Sequence, residues 1–399
     1  AWKKYKNKKR LRVAVVVVML AASAGLMAGG RFMMGQEKET AYVELLSQAS
    51  RLYTSDLEET IDVLDEARAL FPDRIEPDRQ QTYALYLNGD WQECVEFGDK
   101  TLEKHGEDVQ TRLSMASAQF ELGDYRAAAE GFAQGGDLSA DNLRDYAVSL
   151  GRLGEIKRAE RVLDKLTGQG ARPDVTQYVQ GEVYFAQEDY LAAESAFLDA
   201  LEQTGSSALT RRCYISLGDL YRDCAALARV NQSPIPYPAT KAAQLLSSAV
   251  VQEGLRYDSV LWEALALAYF ESCHTDPSAP ADYLTKAAEC FNRVIELGVT
   301  KEYLYSNLYA IYYEMKDYSR AEQALTDYQS TFPDDYMPHA LRGMMLITIE
   351  NEKPQDARNY RPAQAEYETA GSMLRSQDET TYYQQLGSLI DNLKRNGWL

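Results

Sequence analysis

Residues that do chemistry are scarce in this 399-residue sequence. It has three histidines, His105, His274 and His339, and none stands at the spacing of a metal site or a nucleophile–base pair. His274 beside Cys273 and Asp276 comes nearest to a cluster, but two loop ligands and a core thiol do not close a metal site. No glycine-rich phosphate loop with its lysine, no HExxH and no GxSxG occurs. These absences point away from catalysis, so no catalytic residue, cofactor or metal is assigned. Cysteine is sparse and odd in number: Cys94, Cys213, Cys224, Cys273 and Cys290 do not form a disulfide framework. Cys213 and Cys224 lie about three helical turns apart, too far to bridge. Cys273 and Cys290 could meet across a hairpin, yet all five also read as small core residues. Positive charge is in deficit, with 42 Lys and Arg against 60 Asp and Glu and a net charge of −18. Seven of the basic residues crowd into the first 12 positions, where there is no acid, so the remainder is more acidic still. That argues against nucleic acid, whose binding needs a basic stripe. It suits a neutral or basic peptide, or solubility alone.

Long apolar runs are limited to one. Val13 to Gly30 is uncharged throughout and spans roughly 27 Å as a helix, just enough for a bilayer core. Phe32, Met33 and Met34 extend it if Arg31 snorkels. The reading is one transmembrane helix over residues 13–34. The basic segment 1–12 then lies in the cytoplasm, and the rest of the chain lies outside it. The alternative is a cleaved signal peptide ending at Ala22-Ser23-Ala24. Within the span, Ala21, Gly25 and Gly29 make a small-residue stripe that could pair two such helices as a homodimer.

Repetition dominates everything after that. The stretch 174–207 holds two apolar runs at three-to-four spacing, Tyr178, Gly181, Tyr184 and Phe185, then Tyr190, Ala193, Phe197, Ala200 and Leu201. That pattern reads as a helical hairpin whose axes approach closely at Gly181 and Ala193. The small residue of the second helix recurs as Thr60, Cys94, Ala128, Ala159, Ala193, Ala242, Ala287, Ala321 and Ala363, most often at 34-residue intervals. Four residues later comes a large apolar one, Leu64, Phe132, Leu163, Phe197, Leu246, Phe291, Leu325 or Tyr367, with Gly98 the exception. The loop before it repeats as Gly89-Asp90-Trp91, Gly123-Asp124-Tyr125, Gly154-Glu155-Ile156, Glu188-Asp189-Tyr190 and Lys316-Asp317-Tyr318. The first helix is clearest in Trp262, Leu265, Ala266 and Tyr269, and Pro72 and Pro333 close two units. Hairpins of this size cannot bury both faces alone and need stacked neighbours.

With these residues the chain resembles the tetratricopeptide repeat (TPR) family over about residues 41 to 376, departing at Gly98 and at Ser47 and Gln48 of the first unit. The resemblance implies an all-α, right-handed superhelical solenoid of about nine repeats over residues 35–376. It also implies a concave face, lined by the first helices, that binds proteins or extended peptides. Carrying the family's inner-wall position onto this register puts Tyr86, Phe120, Phe185, Phe270 and Tyr313 along the groove, with Glu121, Glu271 and Glu314 beside three of them. Rings next to carboxylates suit an extended segment with apolar and basic side chains, although aromatics there also pack between helices.

Three long loops, Arg229 to Lys241, His274 to Lys286 and Asn351 to Pro362, interrupt units between first and second helix and form a second candidate contact rim. Residues 377–399 read as a capping helix and tail, with Tyr382, Leu386, Leu389, Ile390 and Leu393 on one face. The order of basic segment, anchor and outward repeats also resembles in layout the C-terminal part of a bacterial membrane-anchored serine/threonine kinase. The catalytic half would then lie upstream of Ala1. The expected function is a membrane-anchored scaffold or sensor that binds a protein or peptide outside the cytoplasm. The alternative is a stand-alone envelope assembly factor or chaperone partner.

Overall fold

The computed structural model describes residues 36–375 and 380–399. The chain divides into two compact units, Ala1–Arg172 and Pro173–Leu399, and each is a row of antiparallel helix pairs. In the first unit the pairs are α1 (36–52) with α2 (Leu57–Leu70), α3 (Glu76–Asn88) with α4 (Trp91–His105), α5 (Val109–Glu121) with α6 (Tyr125–Ala133), and α7 (Ala140–Arg152) with α8 (Ile156–Gly168). In the second they are α9 (Pro173–Ala186) with α10 (Tyr190–Gln203), α11 (Ser207–Ala228) with α12 (Pro238–Ala249), and α13 (Ser259–Thr275) with α14 (Tyr283–Glu296). They continue as α15 (Glu302–Glu314) with α16 (Tyr318–Thr331) and α17 (Met337–Asn351) with α18 (Arg361–Met373), and α19 (Thr381–Arg395) follows.

The recurring loop explains why the helices start and stop where they do. Its first residue takes the left-handed conformation that ends a helix, at Gly89, Gly123 and Gly154, and Glu188 and Lys316 adopt it too at φ 60° and 58°. A side chain there costs roughly 1–2 kcal/mol, which is why glycine is favoured. The second residue caps the next helix: Asp124, Asp189 and Asp317 accept hydrogen bonds from the backbone N–H of Ala127, Ala192 and Arg320. The third is the first helical residue and is usually aromatic.

Close packing then follows the small-residue register. Eight of the nine small positions are fully buried and Ala242 is 4% exposed. A Cβ added at Gly181 would lie 2.6 Å from the Phe197 ring, so the α9–α10 crossing has no spare volume. The Gly98 exception has a physical answer, because Met115 of α5 fills the space a larger residue would occupy, 2.5 Å from an added Cβ. In the first hairpin Ser47 and Gln48 are exposed, and α1 instead buries Tyr42 and Ala49, the latter against Val63 and Leu64 of α2. The helix forms with its buried stripe one residue on.

Each of the three long loops joins the two helices of one hairpin, and the third contains a short 3-10 turn at Gln355–Ala357. At the C-terminal end α19 buries Leu386 and Ile390 against α17 and α18, and Trp398 stands edge-on to Tyr360 at 5.7 Å. Tyr382 and Leu389 of that helix face outward.

Among the described residues no helix is long and apolar enough to cross a membrane. This overturns the single-pass membrane localisation expected from the sequence, with its cytoplasmic N-terminus and outward repeats. The helices are apolar on one face only. Even the longest described helix, α11 with 22 residues, carries Arg211, Arg212, Asp219, Arg222 and Asp223, and one such charge at mid-bilayer costs about 2.5–3.5 kcal/mol. The span expected at residues 13–34, the basic segment 1–12 and the self-association stripe Ala21, Gly25 and Gly29 lie outside the described residues.

Candidate functional site

The five groove aromatics are all helical, but most of their surface is used within the fold. Tyr86 packs beside Trp91 on the Leu85–Cys94–Ala118 cluster, with the Tyr83 ring 6.3 Å away. Phe120 is buried against Tyr125 (5.8 Å), Phe185 meets Tyr190 (6.1 Å), and Tyr313 meets Tyr318 (6.0 Å). In these three pairs a ring in the last turn of the first helix contacts the ring that opens the second. The recurring aromatic thus staples the turn of its own hairpin. Tyr313 is held further by a 2.8 Å hydrogen bond between its hydroxyl and that of Thr348. Phe270, within the longer α13, departs from this arrangement and lies 4.7 Å from the His274 ring.

The acids are committed as well. Glu271 receives two hydrogen bonds from Arg229, one from Nε at 2.8 Å. Glu314 lies 3.2 Å from His274 Nε2, and Glu121 is half-buried beside Phe120. The carboxylates expected to meet a basic ligand are therefore largely answered by partners inside the chain.

Phe270 and Glu271 belong to a different feature, a recess of about 300 Å³ enclosed by α11, α12 and α13. Small residues make up much of its wall, among them Gly218 and Ala225 on α11, Ala242 on α12, and Ala264 and Ala268 on α13, with Tyr221, Leu267 and Phe270 as the large apolar or aromatic ones. The reason is local. An added Cβ at Gly218 would sit 3.7 Å from Leu246 and 3.8 Å from Ala264, an ordinary contact. No ring fills this crossing as Phe197 fills the one at Gly181.

The rim of the recess is polar. Arg222 on α11 and Arg229, the residue that caps its C-terminus, stand seven residues apart, about 10.5 Å along the axis, and their side chains are 61% and 63% exposed. Arg222 donates to Asp219 at 2.8 Å. Tyr221 turns its hydroxyl away to donate to Glu194 at 2.7 Å, and Lys241 also bonds Glu194. Burial, and then that carboxylate, push the Tyr221 phenol well above its ordinary pKa, so it is neutral. Sequence reasoning reached Phe270 and Glu271 of this recess as groove residues, and Arg229 and Ala239 within the first rim loop. The missed signal was the stripe Gly218, Arg222, Ala225 and Arg229 of one helix and the small residues Ala264 and Ala268 of another, which line the same recess.

Among the described residues there is no group of three or more His, Cys, Asp or Glu that could hold a metal ion. All five cysteines are free thiols, and Cys273 and Cys290 do not pair.

No protein-family model matches the chain, and no curated protein matches it. Solved structures do. A tetratricopeptide repeat protein from Parabacteroides merdae is similar with a TM-score of 0.50 at 14% identity, over 68% of this chain and 99% of that one. The Cut9–Hcn1 assembly of the APC/C scores 0.43 at 15% identity, over 87% and 62%. A human IFIT1 dimer with m7Gppp-AAAA scores 0.47 at 16%, over 89% and 81%. With the hairpin geometry described above, the fold is an all-helical repeat array of the kind tetratricopeptide repeat proteins have. The kinase layout has no support among these structures.

Proposed function

We propose that this protein is a binding scaffold that holds a segment of another protein on the face formed by the first helices of its hairpins, with the recess among α11, α12 and α13 as the anchoring point. The observation that carries this reading is the recess itself. An apolar, small-residue hollow of about 300 Å³ beside two exposed guanidiniums is the arrangement in which one large side chain is buried and its flanks are oriented by charge. The acidity of the whole chain supports a protein rather than a nucleic acid partner. The aromatic positions Phe120, Phe185 and Tyr313 contribute to the scaffold's shape more than to contact, because their rings meet the ring that opens the next helix, and Tyr86 packs on the Leu85–Cys94–Ala118 cluster.

The test is selection from a random peptide library on the intact chain and on Gly218→Leu, which plugs the recess, with circular dichroism confirming that both remain helical. Peptides retained by the wild type and lost by the plugged variant support the reading. Peptides retained equally by both would move the site elsewhere, and failure to retain any peptide would remove the binding function.

A further inference from the structure

We infer that the segment this recess accepts is an extended one with a large apolar residue at its centre and a carboxylate two residues away on each side. The inference deepens the binding reading above and rests on it. It also reverses the sign of the ligand that the composition suggests.

The argument runs from helix geometry. Along α11 the order on one stripe is Gly218, Arg222, Ala225, Arg229. The two arginines are therefore separated by about 10.5 Å, with the alanine of the recess wall midway between them. In an extended peptide, side chains two apart point to the same face at about 3.3 Å per residue. Positions one, three and five then lie on one line about 13 Å long. A central apolar side chain over Ala225 and Ala268 leaves positions one and five within reach of long, flexible arginine side chains rooted about 5 Å to either side.

Charge selects acid at those two positions. Glu271 is the only acid lining the recess, and its side chain is 18% exposed with Arg229 already bonded to both of its oxygens. A ligand lysine would have to displace that guanidinium. Arg229 uses Nε and Nη2 on Glu271 and Arg222 uses one Nη on Asp219. A guanidinium has five N–H donors, so each can take a ligand carboxylate without giving up its present partner. The net charge of −18 does not oppose this, because charges more than about 8 Å away are screened at physiological salt.

The experiment is fluorescence anisotropy on the intact chain with three labelled synthetic peptides of equal length. Their central sequences are Asp-Ser-Leu-Ser-Asp, Lys-Ser-Leu-Ser-Lys and Asp-Ser-Gly-Ser-Asp. The first should bind. The second and third should bind about tenfold or more weakly, the second for want of the two charge pairs and the third for want of the buried side chain. The double variant Arg222→Gln/Arg229→Gln should bring the first peptide down to the level of the second, and Gly218→Leu should abolish its binding. Equal or tighter binding of the Lys peptide would overturn the inferred ligand, as would an unchanged affinity in the double variant. If the acidic peptide fails while Gly218→Leu still releases library peptides of another composition, the ligand class falls and the scaffold reading stands. If the plugged variant retains every peptide, both fall.

Discussion

Gly181 in α9 and Gly218 in α11 stand one turn before the recurring tyrosine of the first helix, Tyr184 and Tyr221, yet they meet opposite surroundings. At Gly181 the Phe197 ring leaves no room for even a Cβ. At Gly218 the residue four after the small one is Leu246, not phenylalanine, and a Cβ would be accommodated at 3.7 Å. With Leu246 in place of a ring the Gly218 position is left loosely packed, and the alanines of α11 to α13 line the hollow beside it. The same glycine position is thus a packing device in one hairpin and the wall of a candidate binding site in the next.

The largest test of that contrast is truncation of the two fillers. Phe197 is fully buried, so Phe197→Ala should cost about 3–5 kcal/mol, measured as the shift in urea unfolding of the hydrogen-exchange-protected core of α9 and α10. Leu246 is also fully buried, but it comes no nearer than 3.7 Å to a Cβ placed at Gly218, and loss of this smaller, more loosely packed side chain in Leu246→Ala should fall toward the low end of about 2–5 kcal/mol. Equal losses at the two sites would break the comparison. Next in size is Gly181→Ala, which should destabilise by roughly 1–3 kcal/mol because the ring has to move. Gly218→Ala should be neutral or stabilising by up to about 1 kcal/mol, since helix propensity improves and nothing is displaced. Matched destabilisation by the two alanines would show that the recess closes in solution.

A smaller effect concerns the loop that follows α13. Asp276 accepts hydrogen bonds from the Ser278 hydroxyl (2.6 Å), the Ser278 N–H (2.8 Å) and the Thr240 hydroxyl on α12 (2.7 Å). The Ser278 hydroxyl is the chief cause holding its carboxyl below the usual carboxylate range. A carboxyl with a lowered folded-state pKa contributes stability that is present above the unfolded value near 3.9 and lost as pH falls through the folded one. Below about pH 4 the exchange protection of the N-terminal turn of α12 should therefore drop, and Asp276→Asn should remove this dependence.

The fold was legible because its determinants are local and repeated: the left-handed residue, the capping aspartate and the small residue of the second helix all recur in register. The groove was less legible. Aromatics at the end of a first helix look like binding residues from spacing alone, and only coordinates show that the rings of Tyr125, Tyr190 and Tyr318 meet those of Phe120, Phe185 and Tyr313 edge-on or tilted. The recess was invisible for the converse reason. A hollow is an absence of side-chain volume, and Gly218, Ala225, Ala264 and Ala268 announce it only when it is known that their helices face one another. The pairing of Glu271 with Arg229, 42 residues apart, likewise depends on how α11 and α13 stack, which periodicity does not encode.

The thiols provide the finest probe of whether the recess has a solid floor. On α11, Cys213 precedes the recess residues and Cys224 falls among them, and both are fully buried. Burial pushes the Cys213 thiol up to about 12 and the Cys224 thiol up to about 11. Cys273 on α13 is half-buried, and its Sγ donates to the Tyr269 carbonyl at 3.3 Å. Since the thiolate is the reactive form, a thiol-specific reagent at pH 8 should modify Cys273 slowly and leave Cys213 and Cys224 untouched until the chain unfolds. Mass spectrometry of the labelled peptides distinguishes the three. Labelling of Cys224 at the rate of Cys273 would mean that the recess opens through to the helix interior, so that Ala225 is a door and not a wall. Protection of Cys224 together with an accommodated Gly218→Ala would fix the hollow as a preformed, closed-bottomed pocket, the condition under which a single buried side chain can be read with specificity.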